Sequence, residues 1–292
     1  MSLPVRRLRI LRGLGGQRTI ASRLVTAASP VTAEYARLDN LRVRIETHHQ
    51  YSAIKDDIEG LVLAFTTRTA PTSGVALDVG CGTGEFLQRA SNLLPELELH
   101  ACDTSPEAVA ASARIAGVIA QFGDALRLPY SSNSFDVVWL RHVIYHLSNP
   151  RLAVHELARV ARPGGTVILS TNCAGSLPQI TTVIESALLS VGLPAVSTAD
   201  ECDDKTALSL MEESFANIQC ERYDNSLEFN HLEPIVRYAV ASLGVYGVPP
   251  TRAAWKSVVT VLCQNIADKF AANGGRWSDP KSVVLIAGRL IQ

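Results

Sequence analysis

Apolar and polar positions alternate along the middle of the chain with two different periods. Between Gly74 and Thr171, short apolar runs such as GVALDV and FDVVWL are separated by segments in which apolar residues recur every three or four positions. Several of the short runs are apolar on both faces, as expected for parallel strands that helices cover from both sides. The alternation therefore predicts a doubly wound, mostly parallel α/β sheet.

Capping signals mark where two of these helices begin. Ser105 and Pro106 open the segment SPEAVAASARIAG, and Asn149 and Pro150 open a second helix that runs to the sequence PGG. Serine and asparagine are favoured N-cap residues, and proline suits the first helical position. These two helices are thus predicted by periodicity and by capping together.

Helical patterns also flank the alternating region. Apolar residues between Tyr35 and Phe65 predict two amphipathic helices before the first strand. After Thr171 we predict a helix over SLPQITTVIESALLSVG and a strand over FANIQCERYDNSLEF with a bend at Asp224–Asn225. Helices over 232–273 and a final strand over KSVVLIAGRL complete the pattern.

These elements predict one large domain with additions. Residues 1–30 form a basic extension, residues 31–70 a helical lid, and residues 71–292 the α/β domain. A helical cap at 230–280 is inserted before the last strand. No internal repeat or low-complexity linker divides the chain further.

Composition narrows the classes of partner. Of 292 residues, 47% are apolar, and the formal net charge is −1. This balance suits a globular protein with a sizeable core. Outside the first thirty residues the sequence has no basic stripe, so it gives no sign of a nucleic-acid or membrane partner. No apolar run approaches the roughly 18 residues that a membrane span needs.

The cysteines and the N-terminus bear on the compartment. Six cysteines lack CxxC or CxxH spacing, which disfavours a metal site or a disulfide framework and favours a reducing cytoplasm. The first thirty residues carry six arginines and no acid. That pattern is typical of a basic extension or, alternatively, of a mitochondrial presequence.

A glycine-rich loop follows the first predicted strand. The sequence LDVGCGTGEF places Gly80, Cys81, Gly82 and Gly84 directly after Asp78. Ligands bind open α/β sheets beyond the carboxyl ends of the strands, and glycines let the backbone approach them closely. The spacing is G-x-G-x-G, whereas a dinucleotide fingerprint is G-x-G-x-x-G. A carboxylate this close would repel a pyrophosphate and suits a ligand that carries an ammonium and a sulfonium.

Two further acids follow the next two strands. Asp103 ends the second strand, where its carboxylate can accept hydrogen bonds from two ribose hydroxyls. Asp124 follows the third strand, where an adenine amino group could donate to it. Each acid alone suits an ordinary turn, but three acids at successive strand ends favour one shared crevice.

These motifs together resemble class I S-adenosylmethionine-dependent methyltransferases of the small-molecule type. The resemblance covers Val75–Thr171 and rests on LDVGCGTG, CDTSPEAV, GDALRLPYSSNSFDVVWLRHVIYHL and ARVARPGGTVILST. It implies a seven-stranded Rossmann-like sheet with an antiparallel last strand, and S-adenosylmethionine as the cofactor. It also implies that the cofactor is held by Asp78, Gly80, Cys81, Gly82, Asp103, Thr104, Asp124, Ala125 and Arg141.

Histidines after the fourth strand are the candidates for acid–base chemistry. An alcohol or phenol acceptor benefits from a base that removes its proton. His146 is the first candidate and His142 the next, with Tyr145 between them. The alternative is that His146 lines the pocket without taking a proton.

The N-terminal helices supply further candidates. In enzymes of similar sequence such helices form a lid, so Arg44, His48, His49 and Tyr51 could close over the cofactor, with Tyr51 as a direct contact. A solvated helix end is the alternative for the two histidines. Trp255 and Trp277 suit either a substrate pocket or the core.

The sequence favours methyl transfer to a small molecule, with oxygen as the preferred acceptor atom and nitrogen or carbon open. A protein that binds the cofactor without transferring its methyl group is the main alternative. A nicotinamide oxidoreductase is disfavoured by the glycine spacing, and a nucleic-acid methyltransferase by the absence of a Pro-Pro motif after the fourth strand. A homodimer is left open.

Overall fold

The computed structural model describes residues 38–55, 57–195 and 202–290. The predicted extension at 1–30 and the start of the predicted lid at 31–37 lie outside these residues. Seven strands form one sheet in the order β3-β2-β1-β4-β5-β7-β6. The strands are β1 (Gly74–Val79), β2 (Leu97–Asp103), β3 (Val118–Phe122), β4 (Phe135–Arg141), β5 (Ala161–Asn172), β6 (Phe215–Phe229) and β7 (Trp277–Leu290).

Helices connect the strands and flank the sheet. They are α1 (Asp39–Tyr51), α2 (Ile58–Thr69), α3 (Glu85–Leu93), α4 (Pro106–Ser112), α5 (Pro150–Val160), α6 (Pro178–Ser190), α7 (Asp204–Ser214), α8 (Leu232–Ser242) and α9 (Trp255–Ala272). A 3₁₀ turn at Ile144–His146 follows β4. The predicted N-caps are confirmed, because Ser105 accepts from the Ala108 N–H and Asn149 from the Leu152 N–H.

The glycine loop follows β1, the strand at which the order of successive strands in the sheet reverses. β1 to β5 pair in parallel, and β7 pairs antiparallel with both β5 and β6. The chain runs outward from β1 through β2 to β3, and then returns to β4 on the other side of β1. A crevice opens at such a switch point, beyond the carboxyl ends of the strands. The predicted fold class is therefore confirmed.

Two apolar layers cover the sheet. On one face Trp139 of β4 is fully buried against helices α2 and α3, and its indole N–H donates to Thr66 Oγ1 of α2 at 3.0 Å. On the other face Leu140 is buried with Leu157 of α5. Burying large side chains of this kind contributes about 1.5–3 kcal/mol each, so α2 is held firmly beside the crevice.

A two-stranded ribbon carries the cap beyond the sheet. β5 ends at Asn172, opposite Val283, whereas β6 and β7 stay paired as far as Phe229 and Trp277. We call this paired extension, residues 224–229 and 277–282, the ribbon. Because β7 is antiparallel, the ribbon projects from the edge at which the parallel strands end. Helices α6, α8 and α9 pack around it in a third apolar core.

Some features predicted for the region after Thr171 differ from those in the structure. The bend expected at Asp224–Asn225 is absent, since both residues stay in register with Ser282 and Lys281. The irregularity lies instead between Ala216 and Gln219, where Asn217 has a φ of 53°. Helix α7 was not predicted; its Asp203 side chain accepts from the Thr206 N–H and caps it. A local cap of this kind is a weak signal without clear apolar periodicity.

Candidate active site

The glycine loop is a tight turn that is tied to the end of β2. The N–H groups of Gly80 and Cys81 donate to the Cys102 carbonyl at 2.8 and 3.2 Å. Gly80, Gly82 and Gly84 have φ values of 76°, 53° and 78°. These conformations are costly for residues with a Cβ, so three glycines are required here for backbone reasons alone.

Gly80→Ala is expected to destabilise the protein by roughly 2–3 kcal/mol, because a left-handed residue costs about 1–2 kcal/mol and a clash is added to it. A Cβ at this position would lie 2.4 Å from Cγ2 of Val143. Gly117→Ala is the matched control, since Gly117 has a φ of 80° but no atom within 4 Å of its Cβ position. Chemical denaturation measures both, and equal losses would contradict the close contact between the loop and Val143.

Asp103 organises the loop from the end of β2. Its Oδ2 accepts from the Gly82 N–H at 3.0 Å, and its Oδ1 accepts from the Ser105 N–H at 2.8 Å. Burial raises the pKa of this carboxyl group, while the hydrogen bonds from Ser105 and Gly82 oppose the rise. A carboxylate offers about four acceptor positions, so capacity for two hydroxyl donors remains. Thr104, the next residue, is half-buried.

Asp78 is buried and holds Arg141. Its side chain has no exposed surface, and its two oxygens accept from Nε and Nη2 of Arg141 at 3.1 and 2.9 Å. The guanidinium also lies 3.8 Å from the centre of the Phe86 ring. Burial raises the pKa of Asp78, and the charge of Arg141 opposes the rise. Asp78 therefore fixes the orientation of Arg141 at the carboxyl end of β4.

The remaining predicted cofactor residues differ in their exposure. Asp124 is exposed, and its Oδ1 accepts from the Leu126 N–H at 2.9 Å, whereas Ala125 is buried. Cys81 is buried, and burial raises the pKa of its thiol to about 12, which agrees with a packing role. The Tyr51 ring lies 4.9 Å from the Phe229 ring, in the core of the cap.

Two histidines follow β4 at its carboxyl end. His142 has a φ of 53°, and its N–H donates to the Ser170 carbonyl of β5 at 2.9 Å. His146 ends the 3₁₀ turn, with its ring 4.3 Å from that of Tyr145. The side chains of both histidines are half-buried. The strained backbone at His142 is of the kind that concentrates at functional sites.

Burial keeps both imidazoles neutral. The pKa of His142 is lowered to about 4 by burial first, and then by the charges of Arg141 and Lys281. The pKa of His146 is lowered to about 3 by burial, with further lowering from Arg44 and His142. Both imidazoles are therefore neutral at pH 7.

Folding stability should fall as the pH is lowered from about 6.5 towards 4, by up to about 1.4 kcal/mol per pH unit for each imidazole. Stability falls in this direction because both histidines have a lower pKa in the folded chain than in the unfolded chain. Between these pKa values the unfolded chain binds more protons, so acid favours unfolding. His142→Asn tolerates the left-handed backbone, and His146→Gln keeps a polar side chain. Each variant should flatten the curve of unfolding free energy against pH, and curves parallel to that of the wild type would contradict the lowered pKa values.

Helix α1 lies between the loop and the cap. Leu41 is 3.4 Å from the Cβ position of Gly82, and Arg44 Nη1 donates to the Ala241 carbonyl of α8 at 2.8 Å. His48 Nε2 is 3.2 Å from the hydroxyl of Tyr238, also on α8. His49 is exposed, as expected for a solvated helix end. Trp277 is buried in the core of the cap, where its indole N–H donates to Asp279.

Lys281 and Glu59 are polar residues of this region that the sequence did not reveal. Lys281 is only 6% exposed, and its Nζ lies 2.7 Å from Ser52 Oγ and 3.3 Å from His48 Nδ1. Glu59 of α2 is half-buried; burial raises its pKa, and the charge of Arg141 opposes the rise. The sequence did hold one signal of this burial. Lys281 alternates with Val283 and Leu285 along β7, so it lies on the same buried face as these two apolar residues.

Other kinds of site find little support in the residues that the structure describes. No three histidine, cysteine, aspartate or glutamate side chains in these residues are grouped so that they could hold a metal ion. Across the same ranges, none of the helices combines the length and apolar character that crossing a membrane requires.

Comparison with known proteins agrees with this geometry. Residues 77–169 match a family model described as a methyltransferase domain. A malonyl-[acyl-carrier protein] O-methyltransferase of Herminiimonas arsenicoxydans is 40% identical over 104 residues, which are 36% of this chain and 39% of that protein. A demethylmenaquinone methyltransferase of Roseiflexus castenholzii is 40% identical over 100 residues, with 33% and 42% covered. The match thus spans about two fifths of the length of these relatives.

Solved structures share the fold. The YcgJ protein of Bacillus subtilis has a TM-score of 0.55 and 21% identity, covering 81% of this chain and 100% of that one. The [4+2]-cyclase SpnF also has a TM-score of 0.55 and 21% identity, with 90% and 96% covered. Residues 77–169 of this chain thus match a methyltransferase domain model, and they lie in a seven-stranded sheet whose fold these solved structures share.

Proposed function

We propose that the protein is an S-adenosylmethionine-dependent methyltransferase that acts on a small molecule. The observation that carries this proposal is Asp103, which ends β2 and holds the glycine loop through the Gly82 N–H. A carboxylate in that position suits the ribose of a nucleoside, and the G-x-G-x-G spacing of the loop differs from the dinucleotide fingerprint. The family match over 77–169 supports the same cofactor.

Each part of the cofactor has a candidate partner. We assign the ribose hydroxyls to Asp103 with Thr104 beside it, and the adenine to Asp124 and Ala125. The backbone of Gly80, Cys81 and Gly82 would face the amino acid end. Arg141, oriented by Asp78, is placed to bind a carboxylate there, since its Nη1 is not used in the two bonds to Asp78. Tyr51 lies in the core of the cap, so a cofactor contact from it would require α1 to move.

The protein's own contribution to methyl transfer is mainly positioning. S-adenosylmethionine supplies an already activated methyl group when it is bound. Helix α1 and the cap cover the edge at which the parallel strands end, and closing such a site fixes the two reactants and excludes water. We therefore propose that residues 38–55 act as the lid and that this lid packs on the cap at 230–280.

His146 is the proposed base for the acceptor. It lies just past the carboxyl end of β4, and it is neutral at pH 7 because its pKa is about 3. A neutral imidazole can accept a proton, and an anion beside it would raise its basicity. His142 would support it from the neighbouring position. The malonyl-[acyl-carrier protein] relative is named an O-methyltransferase, which favours oxygen as the acceptor atom.

Ligand-induced stabilisation tests the cofactor assignment. S-adenosylhomocysteine should raise the melting temperature of the full chain, because a ligand that binds only the folded state stabilises it, whereas NAD should not. A larger shift with NAD would overturn the proposal in favour of an oxidoreductase. Incubation with methyl-labelled S-adenosylmethionine and candidate acceptors then separates an enzyme from a protein that only binds the cofactor, because only an enzyme yields a labelled product.

We also propose that the protein works in a reducing compartment such as the cytoplasm. Cys81, Cys102, Cys173 and Cys202 are buried free thiols, and Cys220 is exposed and unpaired with any cysteine among the described residues. Free thiols of this number persist where glutathione and thioredoxin keep them reduced. A mitochondrial matrix would satisfy the same condition, and fractionation of cells that express the full chain distinguishes the two.

A further inference from the structure

A cavity of about 210 Å³ opens at the edge of the sheet opposite to the crevice. It lies between the carboxyl end of α2, the amino end of β6 and the carboxyl end of β7. One of its lining residues, Thr166, pairs with Val137 near the beginning of β4, whereas Asp103 ends β2 at the other edge. We call it the basal cavity. Its lining residues are Arg68, Thr69, Thr166, Asn217, Gln219, Ala287, Gly288 and Arg289.

A bulge in β6 forms one wall of the basal cavity. The register of β6 against β7 shifts just before Gln219, and Asn217 in the bulge has a φ of 53°. The bulged strand packs closely on Gly288, where a Cβ would lie 2.6 Å from Cβ of Phe215. Gln219 is paired with Ala287, so both lie on the face of the sheet that α2 covers. Bulges redirect side chains, and strained residues of this kind concentrate at functional sites.

The basal cavity carries a positive charge. None of its lining residues is acidic. The charge of Arg68 is balanced by Glu221, because its Nη2 donates to the two carboxylate oxygens at 2.9 and 2.8 Å. Arg289 forms no ion pair with any residue that the structure describes, so its charge is not compensated. The electrostatic potential inside the cavity therefore favours a negative group.

The lining residues also supply hydrogen-bond donors from two strands. Asn217 and Gln219 of β6 carry side-chain amides, each with two N–H donors, and neither amide is hydrogen-bonded to another described residue. Arg289 of β7 adds a planar guanidinium, whose N–H groups match the oxygen atoms of carboxylates and phosphates. The nearby Thr166 hydroxyl donates to the Thr69 carbonyl at 3.4 Å, so that carbonyl is already occupied. The cavity thus offers donors to a ligand from more than one side.

We propose that the basal cavity is a binding site for a small oxyanion of the phosphate class. Arg289 neutralises the charge of the ligand, and the amides of Asn217 and Gln219 donate to its oxygens. A tetrahedral oxyanion presents acceptor atoms on several sides and so matches donors from two strands, whereas the two oxygens of a carboxylate lie in one plane. This site is independent of methyl transfer, because none of its residues is assigned to the cofactor or to the acceptor.

The size and the setting of the basal cavity limit its ligand. A water molecule takes about 30 Å³ of the liquid, so a cavity of 210 Å³ accommodates a phosphate group with a few waters but not a dinucleotide. The carboxyl end of α2 carries a partial negative charge, which opposes an anion. We therefore expect a dissociation constant in the millimolar range.

The first test titrates the full chain with anions and measures binding by calorimetry. Sodium phosphate, glycerol 3-phosphate and sodium acetate are compared, with the ionic strength held constant by sodium chloride. Because phosphate also stabilises proteins without binding them, the signal has to saturate at one phosphate per chain. We expect saturable binding of phosphate and about tenfold weaker binding of acetate. Glycerol 3-phosphate binding as tightly as phosphate would extend the site to phosphate esters. Binding that does not saturate, or acetate binding as tightly as phosphate, would overturn the proposal.

Variants of the lining residues show whether phosphate binds in the basal cavity. Arg289→Gln removes the uncompensated charge and should weaken phosphate binding about tenfold or more, as expected for the loss of a charge-assisted hydrogen bond. Asn217→Gly removes one amide but keeps the positive φ, and it should weaken binding severalfold. Arg276→Gln is the matched control, because Arg276 is also exposed but lies before the other end of β7. Wild-type affinity in Arg289→Gln, or an equal loss in Arg276→Gln, would overturn the proposal. Should Arg289→Gln not fold, wild-type affinity in Asn217→Gly would do the same.

Discussion

Replacing Asp103 by alanine is expected to weaken binding of S-adenosylmethionine about a thousandfold while the chain still folds. Two charge-assisted hydrogen bonds to the ribose would be lost, each worth about 1.5–3 kcal/mol, and about 1.4 kcal/mol corresponds to a tenfold change. The Gly82 N–H would also lose its acceptor, which loosens the glycine loop. Isothermal titration calorimetry measures the affinity, and circular dichroism checks the fold.

Two comparisons make the Asp103 result specific. Asp103→Asn keeps one acceptor oxygen and should bind more tightly than Asp103→Ala, though less tightly than the wild type. Glu98→Ala removes another acid of β2, which contacts His100 at 2.8 Å, and should leave cofactor affinity unchanged. An affinity near that of the wild type in Asp103→Ala would contradict the ribose assignment.

His146→Gln is expected to lower kcat roughly a hundredfold without weakening cofactor binding, because a positioned general base contributes about 10²–10⁴ in rate. Glutamine keeps a polar side chain in the half-buried turn after β4 but cannot take up a proton at neutral pH. Single-turnover transfer from methyl-labelled S-adenosylmethionine to an acceptor that the wild type methylates gives the rate.

The pH dependence distinguishes a base from a lining residue. In the free enzyme the pKa of His146 is about 3, so kcat/KM of the wild type should show no inflection from this residue near neutrality. If the acceptor raises the pKa of His146, kcat should acquire an inflection that His146→Gln lacks. An unchanged single-turnover rate in the variant would remove the role of His146 as the base.

The central part of the fold was predictable because its signals are local. Apolar runs, the caps at Ser105 and Asn149, and the glycine loop each depend on residues close together in the chain, and all of them are confirmed. The region after Thr171 was less predictable. Its ribbon depends on pairing between residues such as Phe229 and Trp277, which are far apart in sequence.

The candidate site was predictable only as a set of positions. Asp103 and the glycines could be assigned to one crevice because the carboxyl ends of parallel strands meet at one edge. The sequence did not indicate that Asp78 would be fully buried under Arg141, since both residues belong to apolar strands and their bond joins β1 to β4. Lys281 was missed for a similar reason, because the antiparallel return of β7 brings it to the histidines.

The sequence by itself determined the class of sheet, the loop that needs glycine at Gly80, and the acid that ends β2. These features follow from residue periodicity and from backbone conformations that only certain residues adopt cheaply. The tertiary structure alone decided the protonation of the histidines and the burial of Lys281 beside Ser52 and His48. Burial and the distances between charges set a pKa, and neither is defined until α1, β4 and β7 come together.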